Sequence, residues 1–220
     1  MGKRHGNEGS KTVIVVGGAG GLFDRYRDDR EAMQDELSKE RGLVIIPAYD
    51  HRDIMAGGGT TALELLGQVK DLDAILVPVS GGGLIAGCAV AAKALSPRVQ
   101  VFGAEPETGN DTQQSLAAGE RIRIPVPETI ADGLQVPTPG KLTFEVNRRL
   151  LDGVVTATDA TVKATMRLIF ERLKIVVEPS GAMALAGLIE NPDRFAGRRA
   201  GVVLSGGNIG SERFCELVLS

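Results

Sequence analysis

A glycine-rich loop between two apolar segments is the part of this sequence best suited to bind a ligand. An apolar run, residues 74–79, leads into the loop, and an alanine-rich segment, residues 84–95, leads out of it. Glycines let backbone N–H groups converge on one point, and a helix beginning there adds the positive end of its dipole, so the loop is suited to a phosphate. A tight turn between a strand and a helix is the alternative interpretation. The loop comprises Ser80, Gly81, Gly82, Gly83 and Leu84.

A second glycine loop follows the last apolar run, residues 201–204. It begins with Ser205, which stands at the end of a predicted strand in the same way as Ser80. Ligands of open α/β sheets bind at the carboxyl ends of parallel strands, so the Ser205 hydroxyl could face whatever the first loop holds. A capping role for Ser205 in the final helix is the alternative.

Two carboxylates stand close together after another apolar run. Glu105 directly follows the apolar run at residues 99–104, and Asp111 lies six residues after Glu105. Two hard oxygen ligands that close a short loop suit a divalent cation such as Mg²⁺ or Ca²⁺. From spacing alone, the preferred interpretation is simpler: Asp111 is the N-cap of a helix and Glu105 is a solvated loop acid.

Several other chemistries lack their motifs. The sequence has no HExxH, CxxC or GxSxG pattern, which argues against a zinc site and a hydrolase triad. No lysine follows the last glycine of the first loop, so it is not a nucleotide-binding P-loop. A third glycine cluster, residues 17–21, matches a dinucleotide-binding loop only in part, because Phe23 stands where the third glycine belongs.

These loops require an alternation of strands and helices. We predict an α/β fold with an open, mainly parallel sheet, because the apolar runs alternate with helical segments and no hairpin signal separates them. Predicted strands cover residues 12–16, 43–46, 74–79, 99–104, 154–157 and 201–204. Predicted helices cover residues 27–41, 60–69, 84–95, 111–118, 142–151, 159–174, 179–189 and 211–219.

Composition excludes several classes of protein. The chain has 220 residues, 43% of them hydrophobic, and a formal net charge of −3, which is typical of a globular protein and leaves no cationic excess for nucleic acid. No apolar stretch reaches the roughly 18 residues of a membrane helix. With only two cysteines, Cys88 and Cys215, a reducing cytoplasm is the expected compartment. Glycine, at 29 residues, is about twice its usual share, and it clusters at residues 17–21, 57–59, 81–83 and 206–207, with the cluster 57–59 just ahead of the helix predicted at 60–69.

Taken in order, the motifs resemble the threonine dehydratase and serine racemase family. That family uses pyridoxal phosphate on the tryptophan-synthase-β-like fold, an open twisted sheet with helices on both faces. The likeness extends from about residue 23 to residue 220. It is carried by residues 77–84 (VPVSGGGL), 103–106 (GAEP), 128–133 (ETIADG), 177–182 (VEPSGA) and 203–208 (VLSGGN), preceded by 24–31 and 54–60.

The resemblance implies roles for these residues. It assigns the loop Ser80 to Leu84 to the cofactor phosphate, Gly133 to the wall beside the cofactor, and Ser205 to the pyridine nitrogen. A neutral hydroxyl on that nitrogen leaves the ring a moderate electron sink, which suits β-elimination. It also implies a divalent-cation site, an amino-acid substrate and a homodimer. The implied cation ligands are Glu105, the carbonyl of Gly109, and Asp111.

One family motif has no counterpart here. The resemblance implies a Schiff-base lysine in a Ser-x-Lys-x-Arg-Gly motif, and none of the eight lysines has that context. We therefore assign no catalytic residue and interpret the chain as similar to the C-terminal two-thirds of the family, without the N-terminal part of the fold. The predicted divisions are a leader at 1–22, the end of a small domain at 23–42, and a large cofactor-binding domain at 43–220.

Two functions remain open at this stage. The resemblance implies a serine or threonine dehydratase that forms a 2-oxo acid and ammonia, inactive and marginally folded without a partner. Such a chain would risk leaving its central strand and the helix 84–95 uncovered. The alternative is a non-catalytic phosphate- or nucleotide-binding domain, or a subunit that completes its site with another chain. Racemisation is not separated from elimination by these residues.

Overall fold

The computed structural model describes residues 13–15 and 30–220. The chain divides into two compact units, with the boundary between Ala48 and Tyr49. The domain limits predicted from sequence, at residues 22 and 42, stay a prediction. Glycine cluster 17–21 and Phe23 lie outside the described residues.

The described residues of the first unit form a pair of parallel strands and one helix. Strand β1 (Val13–Val15) pairs with β2 (Val44–Ile46), and α1 (Arg30–Arg41) lies between them in the chain. Helix α1 is followed by Gly42 at φ +63°, a left-handed conformation that glycine adopts without strain.

The second unit is built on a four-stranded parallel sheet. Its strands are β3 (Ala74–Pro78), β4 (Gln100–Pro106), β5 (Gly153–Ala157) and β6 (Ala200–Val202). The order across the sheet is β5-β4-β3-β6, and every pairing is parallel. The prediction of an α/β fold with a parallel sheet is therefore confirmed.

Helices connect these strands. They are α2 (Arg52–Gln68), α3 (Gly83–Leu95), α4 (Asp111–Ala118), α5 (Lys141–Leu150), α6 (Asp159–Leu173), α7 (Pro179–Glu190), α8 (Pro192–Phe195) and α9 (Ser211–Leu219). Two 3₁₀ turns, Glu107–Gly109 and Asp132–Leu134, lie in the connections.

Strand β3 is buried on both faces, and its side chains alternate between two cores. Leu76 packs with Phe102 and residues of α6, α7 and α9 on one face. Ile75 and Val77 pack with residues of α2 and α3 on the other. Period-two alternation in a strand predicts this division. It places helices on both faces of the sheet, and the central strand is covered within this unit.

Helix α2 begins earlier than the sequence predicts, at Arg52 instead of residue 60. Glycine is a poor helix former, which is why the sequence pattern places the cluster 57–59 ahead of the helix. In the structure these glycines lie inside α2, and Gly58 and Gly59 pack against α3. A Cβ on Gly59 would stand 2.9 Å from the carbonyl oxygen of Gly87, so close packing of the two backbones explains the glycine.

Within the described residues, no helix is both long enough and apolar enough to cross a membrane. Helix α3 is mostly buried, but Val90 and Leu95 are about half exposed, as is Leu63 of α2. This exposed apolar strip is smaller than the uncovered surface expected from sequence, because β3 contributes nothing to it.

Candidate functional site

The first glycine loop joins the carboxyl end of β3 to the first turn of α3, as predicted. Gly82 occupies the N-cap position with φ +91°, and Gly83 is the first helical residue. A side chain at Gly82 would be strained by the backbone and would stand 2.7 Å from Nδ2 of Asn147. The loop therefore combines a positive helix end with a backbone that only glycine follows easily.

The structure brings the two serine loops to one edge of the sheet. Strands β3 and β6 are parallel neighbours, and the pairing continues past β6 through the N–H of Val203, which donates to the Leu76 carbonyl at 3.0 Å. Ser80 and Ser205 thus follow the carboxyl ends of adjacent strands. This is the edge at which open α/β sheets bind ligands.

The hydroxyl of Ser80 is buried and has no hydrogen-bond partner among the described residues. A buried polar group without a partner costs about 1–3 kcal/mol, so its presence calls for a ligand. An anion at the start of α3 would accept from this hydroxyl. The fit of the loop to a phosphate therefore stands on more than its glycines.

The alternative interpretation of the loop, close packing, is also realised. A Cβ at Gly83 would stand 2.7 Å from the Tyr49 carbonyl oxygen, and one at Gly81 would overlap the Tyr49 ring. Two of the three glycines are therefore required by a neighbouring segment, and a ligand is not needed to explain them.

The start of α7 joins the Gly133 loop to the Ser205 loop. The N–H of Gly133 donates to Oγ of Ser180 at 3.0 Å, and the next residue, Gly181, is so close to Gly206 that a Cβ would overlap its carbonyl. Ser205 itself is exposed. Gly133 and Gly206, the residue after Ser205, are thus contacted by neighbouring residues of one helix.

Glu178 is a functional candidate that the sequence analysis did not single out. Its N–H donates to the Gly206 carbonyl at 3.2 Å. Partial burial raises the pKa of its carboxyl group and Asp132 raises it further, while a hydrogen bond from the Asn208 N–H lowers it. Asp132 therefore lies close enough to this acid, beside the Ser205 loop, to disfavour its ionised form. The sequence signal that could have identified Glu178 is the segment 178–182 (EPSGA), part of the family resemblance.

The carboxylate pair differs from the capping arrangement predicted from spacing. Asp111 is the first helical residue of α4, and Asn110 is the N-cap. Glu105 accepts hydrogen bonds from the N–H groups of Thr112 at 3.1 Å and Gln113 at 3.0 Å. The acid that caps α4 is therefore Glu105, which is fully buried and not solvated. Glu105 belongs to the end of β4, six residues before α4 begins, so the capping acid lies outside the usual N-cap position.

Two buried acids remain close to each other at this point. Burial raises the pKa of the Glu105 carboxyl, and the charge of Asp111 raises it further. Burial raises the pKa of Asp111 as well, and its Oδ2 has no partner among the described residues. Oδ2 of Asp111 fits a cation as its missing partner. Gly109, also buried, ends the 3₁₀ turn just before α4, while no group of three or more acidic, His or Cys side chains suited to a metal occurs among the described residues.

Sequence reasoning also missed the contacts that α5 makes with the first glycine loop. Thr143 of α5 donates from Oγ1 to the Gly81 carbonyl at 2.6 Å, and Asn147 donates from Nδ2 to the Gly82 carbonyl at 3.4 Å. Asp50 accepts hydrogen bonds from the first N–H groups of α5. These partners lie 62 to 93 residues apart in the chain, so local patterns cannot pair them.

Fold and site together define a parallel α/β protein with a glycine loop, suited to an anion, at the carboxyl edge of its sheet. The chain belongs to the family described as pyridoxal-phosphate dependent enzymes, which it matches over residues 4–206. The match begins upstream of residue 23, where the motif resemblance starts, and so extends into the segment predicted to be a leader.

Individual relatives agree with this family. The chain is 43% identical over 196 residues to the L-threo-3-hydroxyaspartate ammonia-lyase of Saccharomyces cerevisiae, covering 89% of this chain and 60% of that protein. It is 42% identical to the serine racemase of Schizosaccharomyces pombe, covering 94% of this chain and 65% of that protein. The chain thus spans less than two thirds of the length of these curated relatives.

A solved structure confirms the fold. The serine racemase of maize superposes with a TM-score of 0.79 at 39% identity, covering 85% of this chain and 60% of that one. The predicted tryptophan-synthase-β-like fold and the predicted family are both confirmed.

Proposed function

We propose that this chain forms the cofactor-binding part of a pyridoxal-phosphate-dependent ammonia-lyase. The proposed reaction is β-elimination of L-serine or L-threonine to a 2-oxo acid and ammonia. The observation that carries the proposal is the buried, unpartnered Ser80 hydroxyl in a glycine loop at the same sheet edge as Ser205. The names of the relatives support an ammonia-lyase or racemase acting on a small amino acid, and serine or threonine is our choice within that class.

The cofactor phosphate is proposed to bind at the loop of Ser80 to Leu84. Its donors would be the Ser80 hydroxyl and the free N–H groups at the beginning of α3, where the helix dipole favours an anion. The loop has no positively charged side chain, so backbone dipoles would hold the phosphate.

Ser205 is proposed to meet the ring nitrogen, and Gly133 to lie beside the ring. Pyridoxal phosphate, when bound, withdraws electrons from the α-carbon of an attached amino acid, which acidifies the α-proton and lets a β-hydroxyl leave. The neutral Ser205 hydroxyl does not hold that nitrogen protonated as a carboxylate would, so electron withdrawal stays moderate. Gly133, which cannot add bulk beside Ser180, leaves room for a flat ring.

A divalent cation is proposed at Glu105, the carbonyl of Gly109, and Asp111. Mg²⁺ and Ca²⁺ prefer oxygen ligands of this kind. The raised pKa values of the two acids support the proposal, because a cation would relieve the cost of ionising both. Its role would be structural, since Glu105 already fixes the first turn of α4.

The imine-forming lysine implied by the resemblance has no counterpart among the eight lysines of these 220 residues. We infer that none of these eight lysines forms the imine, and that turnover needs the lysine segment of the family to be added to this chain. A homodimer in the cytoplasm remains the expected assembly and compartment.

Ligand binding and turnover test the proposal separately. The purified chain, titrated with pyridoxal phosphate, should bind it, and Ser80→Ala and Ser205→Ala should each weaken binding, by about three- to tenfold for one lost hydrogen bond. Ser38→Ala, in the first unit, is the matched control. The absence of binding by the wild-type chain would refute the proposed function.

Turnover is measured with L-serine and L-threonine, pyridoxal phosphate and Mg²⁺. We expect no 2-oxo acid from the chain alone, and activity after a separately expressed N-terminal segment of a related dehydratase is added. Turnover by the chain alone would contradict the inference about the lysine and leave the cofactor site intact.

A further inference from the structure

Helix α5 is fixed to the phosphate loop by two buried polar side chains. Thr143 and Asn147 lie one helical turn apart and both have no exposed surface. Thr143 Oγ1 donates to the Gly81 carbonyl, and Asn147 Nδ2 to the Gly82 carbonyl. Two successive carbonyls of the loop are therefore contacted by one face of α5, and that of Gly82 also accepts from the Ala86 N–H of α3 at 3.0 Å.

The N-terminus of α5 is fixed in turn. The Asp50 carboxylate accepts hydrogen bonds from the N–H groups of Lys141 at 2.9 Å, Leu142 at 2.8 Å and Thr143 at 3.0 Å. The N–H of Gly140, just before the helix, donates to the Gly81 carbonyl at 3.2 Å, so that carbonyl has two donors from this segment.

The direction of each loop carbonyl also fixes the direction of the N–H group in the same peptide. The described residues contain no cis peptide, and in a trans peptide the N–H points opposite to the C=O. The Gly81 carbonyl is directed at α5, so the N–H of Gly82 points away from that helix. The Gly82 carbonyl is shared between the Ala86 N–H of α3 and Asn147, so the N–H of Gly83 points away from both. Among the described residues, neither N–H has a hydrogen-bond acceptor.

Packing alone does not explain this choice of side chains. A valine and a leucine would fill the same volume without the cost of burying polar atoms. Oδ1 of Asn147 is itself buried without a partner among the described residues, a further cost. The hydroxyl and the amide are explained by their hydrogen bonds to the loop carbonyls, which fix the orientation of the loop.

We propose that Thr143 and Asn147 are positioning residues for phosphate binding. By holding the Gly81 and Gly82 carbonyls, they aim the N–H groups of Gly82 and Gly83 at the phosphate position before the ligand arrives. A preorganised donor pair binds an anion without the entropy cost of ordering the loop. This inference rests on the proposed function, since the anion in question is the phosphate of pyridoxal phosphate.

The test compares two ligands that differ only in the phosphate. Dissociation constants of pyridoxal 5′-phosphate and of pyridoxal are measured by absorbance titration, and inorganic phosphate is used as a competitor. Thr143→Val removes the hydroxyl and keeps the shape. It should weaken pyridoxal phosphate and inorganic phosphate by about three- to tenfold and leave pyridoxal unchanged. Thr143→Ser, which keeps the hydroxyl, should restore the selectivity.

Thr165→Val is the matched control. Thr165 is also a buried helical threonine, and its Oγ1 donates to a backbone carbonyl, that of Thr161 at 2.7 Å, in α6. Its substitution should lower the urea midpoint to a similar degree without changing the ratio of the two dissociation constants. Asn147→Leu should weaken binding of pyridoxal phosphate and inorganic phosphate in the same way as Thr143→Val. It tests the positioning role if Thr143→Val does not fold.

The outcomes separate this proposal from the one on which it rests. If the wild-type chain binds pyridoxal phosphate no better than pyridoxal, the phosphate loop and this inference both fail. If the wild type shows the selectivity and the folded variants keep it, only the positioning role fails. An equal change of the ratio in Thr165→Val would also overturn it, because the effect would then be one of stability.

Discussion

Glu105 and Asp111 are two neighbouring acids whose carboxyl groups have raised pKa values. Both are buried, and the pKa of each carboxyl is raised, by burial and, for Glu105, by the neighbouring acid. An exposed carboxyl in the unfolded chain ionises near pH 4. From about pH 4 upward, the unfolded chain therefore loses protons that the folded chain keeps until its raised pKa is reached.

We predict that the metal-free chain becomes less stable as the pH rises from 5 to 8. The folded state binds more protons over this window, so the free energy of unfolding falls, on the order of 1 kcal/mol per pH unit for each group involved. Asp111→Asn should reduce the slope, because one titrating acid and its repulsion of Glu105 are removed. Urea unfolding at several pH values with a chelator measures it.

The control is Glu171→Gln, an exposed acid of α6 paired with Arg167 at 2.8 Å, which should leave the slope unchanged. Adding Mg²⁺ or Ca²⁺ should stabilise the wild type, and more at pH 8 than at pH 5, because the ion binds the ionised pair. Equal stabilisation of Asp111→Asn would remove the cation site from consideration.

At the scale of elements, the contact between α2 and α3 depends on glycine. A Cβ on Gly87 would overlap the Met55 carbonyl and stand 2.6 Å from the Gly59 nitrogen, both backbone atoms that cannot move aside alone. Gly57 of α2 is exposed, and a Cβ there would meet nothing within 4 Å. The same substitution should therefore have opposite effects at these two positions.

We predict that Gly87→Ala lowers the free energy of unfolding by about 1–3 kcal/mol or more, since the two helices must separate. Gly57→Ala should raise it by up to about 1 kcal/mol, because alanine is the better helix former. Thermal and urea unfolding of both variants provide the measurement. A stable Gly87→Ala would show that the helices pack less closely than described.

The cap of α5 gives a second prediction at this scale. Asp50→Ala removes an acceptor of three N–H groups and should lower the free energy of unfolding by about 0.5–2 kcal/mol. Asp53→Ala, an exposed acid on the same segment, should have less than half that effect. Comparable losses from the two substitutions would mean that Asp50 acts only through its charge.

Most elements could be predicted from local patterns, and the exceptions have physical reasons. Apolar runs such as Ala74–Pro78 and the proline at the start of α7 act locally, so these elements are found close to their predicted bounds. The start of α2 could not be predicted because two glycines near it, Gly58 and Gly59, are explained by packing against α3, which local patterns do not show. Helix α8 could not be predicted because it is one turn long, held by Phe195 edge-on against Phe102 at 5.2 Å.

The candidate site divides in the same way. Ser80, the glycines after it and Ser205 could be predicted because each stands directly at the end of a strand. The capping role of Glu105 and the contacts of Asp50, Thr143 and Asn147 could not, because each joins segments that meet only in the folded chain. Residue spacing in the sequence therefore predicts the first glycine loop but not its contacts with α5.

At the scale of the whole molecule, the sheet order has a consequence for how the chain is made. Strand β6, with the Ser205 loop behind it, pairs with β3, and the N–H of Arg199 bonds to Asp73 across 126 residues. During synthesis, one edge of β3 therefore stays unpaired until β6, more than 120 residues later in the chain, has left the ribosome. An unpaired edge of this kind recruits other strands. Chains stopped before residue 200 should accumulate as aggregates in translation assays, while the finished chain remains dispersed.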